Sequence, residues 1–143
     1  SISVTGNITP TGVVATISLG SPSISTNVTV YTVTVASGTN SYGSGNKYYI
    51  AGLSGASPTL TLNEGSTYRF DQSDSSNSGH PLRFSTTANG THGGGSQYTT
   101  GVTTSGTAGS AGAYVQITVA VGAPTLYYYC TNHSGMGGQA NTP

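Results

Sequence analysis

The chain has 143 residues, enough for one domain with a sizeable hydrophobic core. Only 4% of the residues are charged, three basic and three acidic, so the formal net charge is zero. This composition excludes a surface for nucleic acid or for an anionic membrane, because such surfaces need clustered Lys and Arg.

The first predicted element is a β-rich N-terminal arm, residues 1–30. Period-two alternation, typical of a half-buried strand, marks the apolar residues Val13, Ala15, Ile17 and Leu19. In "NVTVYTVTV" the apolar positions change from even numbers to odd numbers at Tyr31, and a one-residue phase change flips the buried face. We therefore expect either a β-bulge there or a change in the strand with which this segment pairs. The arm would complete an edge of the sandwich or pair with a neighbouring chain, and the main domain would cover residues 31–143.

The main domain shows several further short runs of alternation, separated by Gly, Pro, Asn and Ser, and no helical period. The inward positions predicted from these runs are Leu60, Leu62, Tyr68, Phe70, His80, Leu82, Phe84, Val115, Ile117, Val119, Val121, Leu126, Tyr128 and Cys130. Residues 86–112 are rich in Gly, Thr and Ser and are predicted to form a long surface connection, with one short strand near Tyr98. The pattern indicates an all-β sandwich.

Residues able to bind a soft metal ion are concentrated near the end of the chain. The only cysteine, Cys130, and the only methionine, Met136, lie six positions apart with His133 between them. Alternation places Cys130 and His80 on inward faces at strand ends, where a sandwich can bring them together. Two imidazoles and one thiolate in a trigonal plane with a weak axial thioether are the donor set of electron-transfer copper sites. The predicted ligands are therefore His80, Cys130, His133 and Met136.

Three other interpretations of this donor set stay open. A buried structural cysteine, a loop histidine and a space-filling methionine would need no metal. A Cys-His-His set with an open fourth position would suit zinc, although thioether is not a usual zinc ligand. A nucleophilic Cys130 with a histidine base would need a third orienting residue, and the sequence supplies no obvious one.

The remaining polar residues have simpler interpretations. His92, in "THGGG", is predicted to be a solvated loop residue, and the glycines lack the lysine and the helix of a phosphate loop. Asp71 and Asp74, in "FDQSDSS", are predicted to form a turn rather than a catalytic carboxylate pair. No catalytic residue is assigned, and we expect the protein not to be an enzyme.

The sequences "GHPLRF" and "YYYCTNHSGM" resemble the cupredoxins, the blue copper proteins, over about residues 31–138. The Cys-x2-His-x2-Met loop is similar to the short ligand loops of amicyanin and pseudoazurin. The resemblance implies a Greek-key β-sandwich, with "PTLTLNEGSTYRF" as one of its hairpins. It also implies one copper ion that alternates between Cu(I) and Cu(II), with His80, Cys130 and His133 as strong ligands and Met136 as the weak axial ligand.

Two positions, each next to a ligand histidine in the sequence, depart from the cupredoxin pattern. Pro81 follows the first ligand histidine, where many cupredoxins have an Asn that braces the site. Asn132 precedes the second histidine, where a Pro is common. These departures leave the ligand set intact and affect the hydrogen bonds around it.

More loosely, the stretch from "GHPLRF" to "YYYCTNHSGMGG" resembles cupredoxin-like modules in structural proteins of marine and cyanobacterial phages. We therefore expect a copper-binding module of a virion, such as a capsid decoration or tail protein, or of another extracellular or cell-surface structural protein. Its partners would be other structural proteins of the particle, or further copies of itself, and not nucleic acid or membrane. The alternative is a soluble electron carrier, periplasmic in location, with a redox partner that the sequence does not identify.

Overall fold

The computed structural model describes residues 27–143, which form ten β-strands and two short 3-10 helices. The strands are β1 (Val28–Asn40), β2 (Gly43–Ile50), β3 (Leu60–Thr61), β4 (Thr67–Asp71), β5 (Leu82–Ser85), β6 (Gln97–Tyr98), β7 (Val102–Ser105), β8 (Tyr114–Thr118), β9 (Leu126–Cys130) and β10 (Gly138–Asn141). The 3-10 helices cover Ser75–Asn77 and Gly90–Gly93. Within this part of the chain, no helix is long and apolar enough to cross a membrane.

The first sheet has the strand order β2-β1-β4-β8-β7. Strand β1 changes partner along its length: Val28–Thr32 pair in parallel with β4, and residues 33–40 pair antiparallel with β2. This change of partner lies close to the phase change in the sequence. Residues 28–30 already pair with β4, whereas the alternating segment 13–19 lies outside the described residues. The role of the arm therefore stays a prediction.

The second sheet has the strand order β3-β10-β9-β5-β6, and β9 lies at its centre. Strand β3 pairs in parallel with β10, whereas β4 belongs to the first sheet, so the predicted hairpin across "NEGS" is wrong. The connection instead crosses from one sheet to the other. The physical reason is that alternation identifies the buried face of a strand but says nothing about which strand pairs with it.

The two sheets enclose one hydrophobic core, so the chain forms an all-β sandwich. Phe70 of the first sheet meets Phe84 of the second in an edge-to-face contact, with ring centroids 5.5 Å apart. All but one of the predicted inward side chains are buried. Val121 is the exception, 87% exposed, because β8 ends at Thr118 and the chain then enters a turn. Each large apolar side chain in this core contributes about 1.5–3 kcal/mol through burial.

The predicted connection over residues 86–112 is more structured than its composition indicates. The short strand near Tyr98 is confirmed as β6, which pairs with β5. Strand β7 was not predicted, although it pairs with β8 over four residues. Its side chains are polar and exposed apart from the half-buried Val102, because β7 lies at the edge of its sheet and offers no apolar alternation to detect.

Candidate metal centre

The strand ends that carry His80 and Cys130 are brought together by the second sheet. Cys130 is the last residue of β9, and its partner in the sheet is Leu82, the first residue of β5. His80 precedes β5 by two residues. Its backbone carbonyl accepts hydrogen bonds from the hydroxyl of Tyr48 (2.7 Å) and from Nε2 of Gln72 (2.9 Å). These buried bonds fix the backbone from which the imidazole projects.

Three donor atoms meet at this point. Sγ of Cys130 lies 3.8 Å from Nδ1 of His80 and 3.7 Å from Nδ1 of His133, and the two imidazole rings are 4.6 Å apart. Cys130 is fully buried and His80 is 9% exposed, whereas His133 is exposed. The three residues therefore form a group that could hold a metal ion, with one edge open to solvent. The structure brings together three of the four residues that the sequence predicts.

The environment of His80 favours its neutral form. Burial, and after it the charge of the neighbouring His133, lowers the pKa of His80 below its ordinary value. A histidine coordinates a metal through the lone pair of an unprotonated nitrogen. The lowered pKa thus keeps His80 in the form that can serve as a ligand.

The segment Thr131–Gly137, which we call the ligand loop, is held on one side by the β1–β2 hairpin. The carbonyl of Gly135 accepts hydrogen bonds from Nδ2 of Asn40 (2.8 Å) and from Nζ of Lys47 (2.7 Å). Both donors come from more than eighty residues upstream, so these bonds link the loop to a distant part of the sheet. The ligand loop is therefore fixed by the fold and does not depend on its own residues alone.

Met136 lies near the end of the ligand loop and is 1% exposed within the hydrophobic core. Its carbonyl accepts hydrogen bonds from the backbone N–H of Tyr48 (3.0 Å) and from the hydroxyl of Ser57 (2.8 Å). Together with His133 it lines an open surface pocket of about 410 Å³. The backbone of Met136 is thus fixed at the end of the ligand loop, and its role as a ligand stays a prediction.

The opposite side of the ligand loop is held by two residues of the 86–96 segment, Asn89 and His92, which we call the outer clamp. Oδ1 of Asn89 accepts from the backbone N–H of Gly135 (2.8 Å), and its Nδ2 donates to the hydroxyl of Ser134 (2.8 Å). Nε2 of His92 lies 2.8 Å from the carbonyl oxygen of Cys130. Because a carbonyl only accepts, this ring nitrogen donates.

His92 therefore does more than the solvated loop residue that the sequence predicts, although its side chain is exposed. Its ring also meets Tyr129 edge to face, with centroids 6.3 Å apart. No local pattern identifies either residue of the outer clamp, because the bonds span 38 to 46 residues. Only the folded chain brings them to the site.

The outer clamp rests on the outward face of β9. Tyr129 lies outside the core cluster, yet it is only 1% exposed because the 3-10 helix Gly90–Gly93 covers its ring. A Cβ atom at position 90 would lie 2.4 Å from that ring. Gly90 is therefore required for the close approach, and its φ of +55° also suits glycine.

Hydrogen bonds link the segments that carry His80 and His133. Nδ2 of Asn132 donates to the carbonyl of Gly79 (2.9 Å), and the backbone N–H of Thr131 donates to the carbonyl of Pro81 (3.2 Å). These two bonds connect residues on either side of His80 with the residues that precede His133. The two segments that carry the histidines are thus joined directly to each other.

Asp71 is the last residue of β4 and Asp74 caps the 3-10 helix Ser75–Asn77, so both carboxylates support the turn that follows the strand, as the sequence predicts. Oδ1 of Asp71 accepts from the backbone N–H of Ser73 (2.8 Å). Asp74 accepts from the backbone N–H and the hydroxyl of Ser76, and these bonds lower the pKa of its carboxyl group. Both carboxylates are thereby engaged in local turn structure.

Comparison of the chain with models of protein families, with curated proteins and with solved structures finds no match. The assignment of a function therefore depends on the fold and on the geometry of the metal centre.

Proposed function

We propose that the chain is a cupredoxin-like Greek-key module that binds one copper ion. His80, Cys130 and His133 would be its strong ligands, and Met136 would be a weak fourth ligand. The observation that carries this proposal is the meeting of one thiol sulfur and one nitrogen from each of two imidazoles within 4.8 Å of one another. A thiolate and two imidazoles suit copper in both of its oxidation states.

The spacing of the donor atoms supports a shared metal ion. With a thiolate bond of about 2.3 Å and an imidazole bond of about 2.0 Å, two ligand atoms of one ion are about 3.5–3.7 Å apart at metal angles of about 109–120°. The observed separations of 3.7 and 3.8 Å are close to this range. Copper is favoured over zinc because the sequence adds a thioether, Met136, which is not a usual zinc ligand.

Different parts of the structure would position the residues that hold such an ion. His80 presents a neutral imidazole from a buried, hydrogen-bonded backbone, and Cys130 presents its sulfur from the end of β9, the central strand of the second sheet. The outer clamp and the β1–β2 hairpin restrain the ligand loop from both sides. When bound, copper supplies one-electron exchange between Cu(I) and Cu(II). A ligand set held this firmly limits movement between the two states.

We propose that this module belongs to a virion or to another extracellular structural protein, as the low charge and the looser phage resemblance indicate. In that setting the bound ion would clamp the ligand loop to the ends of β5 and β9, and binding to the folded state alone would add stability by mass action. Its partners would be further copies of this chain or other proteins of the particle. Light scattering over a wide concentration range tests this: a strict monomer that is also missing from its source particle would contradict it.

One observation favours the second candidate, a soluble electron carrier. His133 is exposed and lines the open pocket, so its ring edge could pass electrons to a docked partner. The scarcity of charge counts against it, because redox partners are commonly steered by charged patches. Rapid self-exchange of electrons between oxidised and reduced protein would support this candidate, and exchange too slow to detect would count against it.

The copper proposal is tested by adding Cu(II) to the metal-free protein and recording the visible spectrum. We expect one equivalent to produce an intense thiolate-to-copper band. Cys130→Ser should abolish the band, while Tyr42→Phe, a change on the surface beside the site, should retain it. Absence of the band from the wild-type protein, or its persistence in Cys130→Ser, would contradict the proposal.

A further inference from the structure

Lys47 is a buried cation beside the ligand loop. It is not one of the proposed metal ligands, so metal binding through those ligands does not explain why it is buried there. Its side chain is 3% exposed, and its Nζ donates to the carbonyl of Gly135 at 2.7 Å. Lysine is almost never this buried unless it is paired, because an ammonium group loses its hydration. Burial accordingly lowers the pKa of Lys47 below its ordinary value. Because burying this ammonium group costs desolvation free energy, we looked for what the charge does at this position.

The chain offers no carboxylate side chain as a counter-ion. It contains three acidic residues, and all of them lie within the described part. They accept hydrogen bonds elsewhere: Glu64 from Gly122, Asp71 from Ser73 and Asp74 from Ser76. The bonds of Lys47 within residues 27–143 include none to a carboxylate. Its positive charge is thus not balanced by a fixed negative side chain.

Hydrogen bonding alone does not require a charge at this position. The carbonyl of Gly135 already accepts from Nδ2 of Asn40 at 2.8 Å, so it would remain satisfied beside an uncharged residue. What Lys47 adds is a positive charge at the carbonyl of Gly135, a residue that lies two positions from His133 along the ligand loop and one from Met136. Because Lys47 is itself buried, water screens its charge less than it would screen an exposed one, and the charge acts over several ångströms.

We propose that the ammonium group of Lys47 sets the redox preference of the metal centre by favouring Cu(I) over Cu(II). This inference rests on the proposed copper function. A thiolate with two neutral imidazoles leaves a net charge of +1 around Cu(II) and zero around Cu(I). A fixed positive charge nearby therefore repels the oxidised site and leaves the reduced site almost unaffected. One electron, supplied by an external one-electron reductant, converts the first state into the second.

The test replaces Lys47 with an uncharged residue of similar length, Lys47→Met, and measures the reduction potential against a one-electron mediator. Competition with chelators gives the affinities for Cu(I) and Cu(II) separately. We expect the ratio of the Cu(I) to the Cu(II) affinity to fall about tenfold, which lowers the potential of a one-electron couple by about 59 mV. The thiolate-to-copper band should be retained.

Arg69→Met is the matched control. It removes one positive charge from the first sheet, where Arg69 hydrogen-bonds Gln116 and stacks on Tyr114. We expect it to leave the affinity ratio unchanged. Lys47→Gln is measured in parallel, so that a folding defect in one variant does not decide the outcome. Thermal unfolding of the metal-free variants checks their folds.

Two results would overturn the proposal while leaving the copper function intact: a normal band with an affinity ratio equal to that of Arg69→Met, or a ratio that rises. Absence of the band from the wild-type protein would remove the copper function itself. The two failures are therefore distinguishable.

Discussion

Asn89 joins the 86–96 segment to the ligand loop through both ends of its side-chain amide. Its φ of +62° lies in the left-handed region, so glycine fits the same backbone. Asn89→Gly therefore removes the two hydrogen bonds with little change in backbone strain. We expect a loss of about 1–3 kcal/mol in the free energy of unfolding, because each bond contributes about 0.5–1.5 kcal/mol. Urea unfolding of the metal-free protein measures it.

Gln139→Ala is a suitable control, because this exposed side chain hydrogen-bonds only its neighbour Asn141 among the described residues. We expect a change within about 0.5 kcal/mol. If Asn89→Gly were equally mild, and copper left it no faster than it leaves the wild-type protein, then the outer clamp would not hold the ligand loop.

Single residues also show which parts of the site the sequence could predict. His80, Cys130 and His133 were predicted because their chemistry is rare in this chain and alternation places two of them at inward strand ends. Asn89, His92 and Lys47 were not predicted, because each acts through a backbone carbonyl or amide distant in sequence. Such contacts follow from the strand order and leave no local pattern.

At the scale of elements, the 3-10 helix Gly90–Gly93 acts as a cover for Tyr129. Gly90→Ala would place a methyl group 2.4 Å from that ring, so the helix must move away from β9. Overpacking and left-handed strain together should cost about 2–5 kcal/mol of stability. The outer clamp would be displaced with the helix, and hydrogen exchange should show faster opening of this segment.

Gly94→Ala isolates the backbone contribution. Gly94 has a φ of +84°, yet a Cβ atom there would meet no other atom within 4 Å. We expect it to lose only about 1–2 kcal/mol, from left-handed strain alone. Equal losses in the two variants would show that the contact with Tyr129 is unimportant.

The strands show a similar division between what was predicted and what was not. Alternation gave the inward face of β4, β5, β8 and β9 correctly, because one face of each strand packs against the core. It did not give the separation of β3 from β4 or the existence of β7. Pairing depends on contacts across the whole sandwich, and an exposed polar edge strand carries no apolar signal.

At the scale of the whole molecule, buried tyrosines predict a loss of stability in alkali. Burial raises the pKa of Tyr128, and burial followed by the charge on Cys130 raises that of Tyr48. Below pH about 10 both tyrosine hydroxyl groups are protonated in the folded and in the unfolded chain, so their full contribution to stability is present. Above it, the unfolded chain loses protons that the folded chain keeps, and stability falls. The slope approaches about 1.4 kcal/mol per pH unit for each buried tyrosine.

Tyr128→Phe separates the contribution of Tyr128 to the alkaline loss of stability from that of the other tyrosines. At pH 8 the variant should be less stable by about 1 kcal/mol, because the hydroxyl no longer donates to the carbonyl of Pro58. As the pH rises above about 10 this difference should shrink, because the variant has one titrating group fewer. Urea unfolding at several pH values measures it, and a constant difference up to pH 11 would contradict the assignment.

The candidate metal centre depends on the whole sandwich, because its donor residues come from the end of β9, from the two residues before β5 and from a loop held by the β1–β2 hairpin and the outer clamp. The most direct test is a crystal structure of the copper-loaded protein, with the ion located by its anomalous scattering. We predict a single strong peak in the anomalous difference map, at bonding distance from Sγ of Cys130 and from Nδ1 of both His80 and His133. A peak elsewhere, or no ordered ion in protein loaded with one equivalent, would contradict the account.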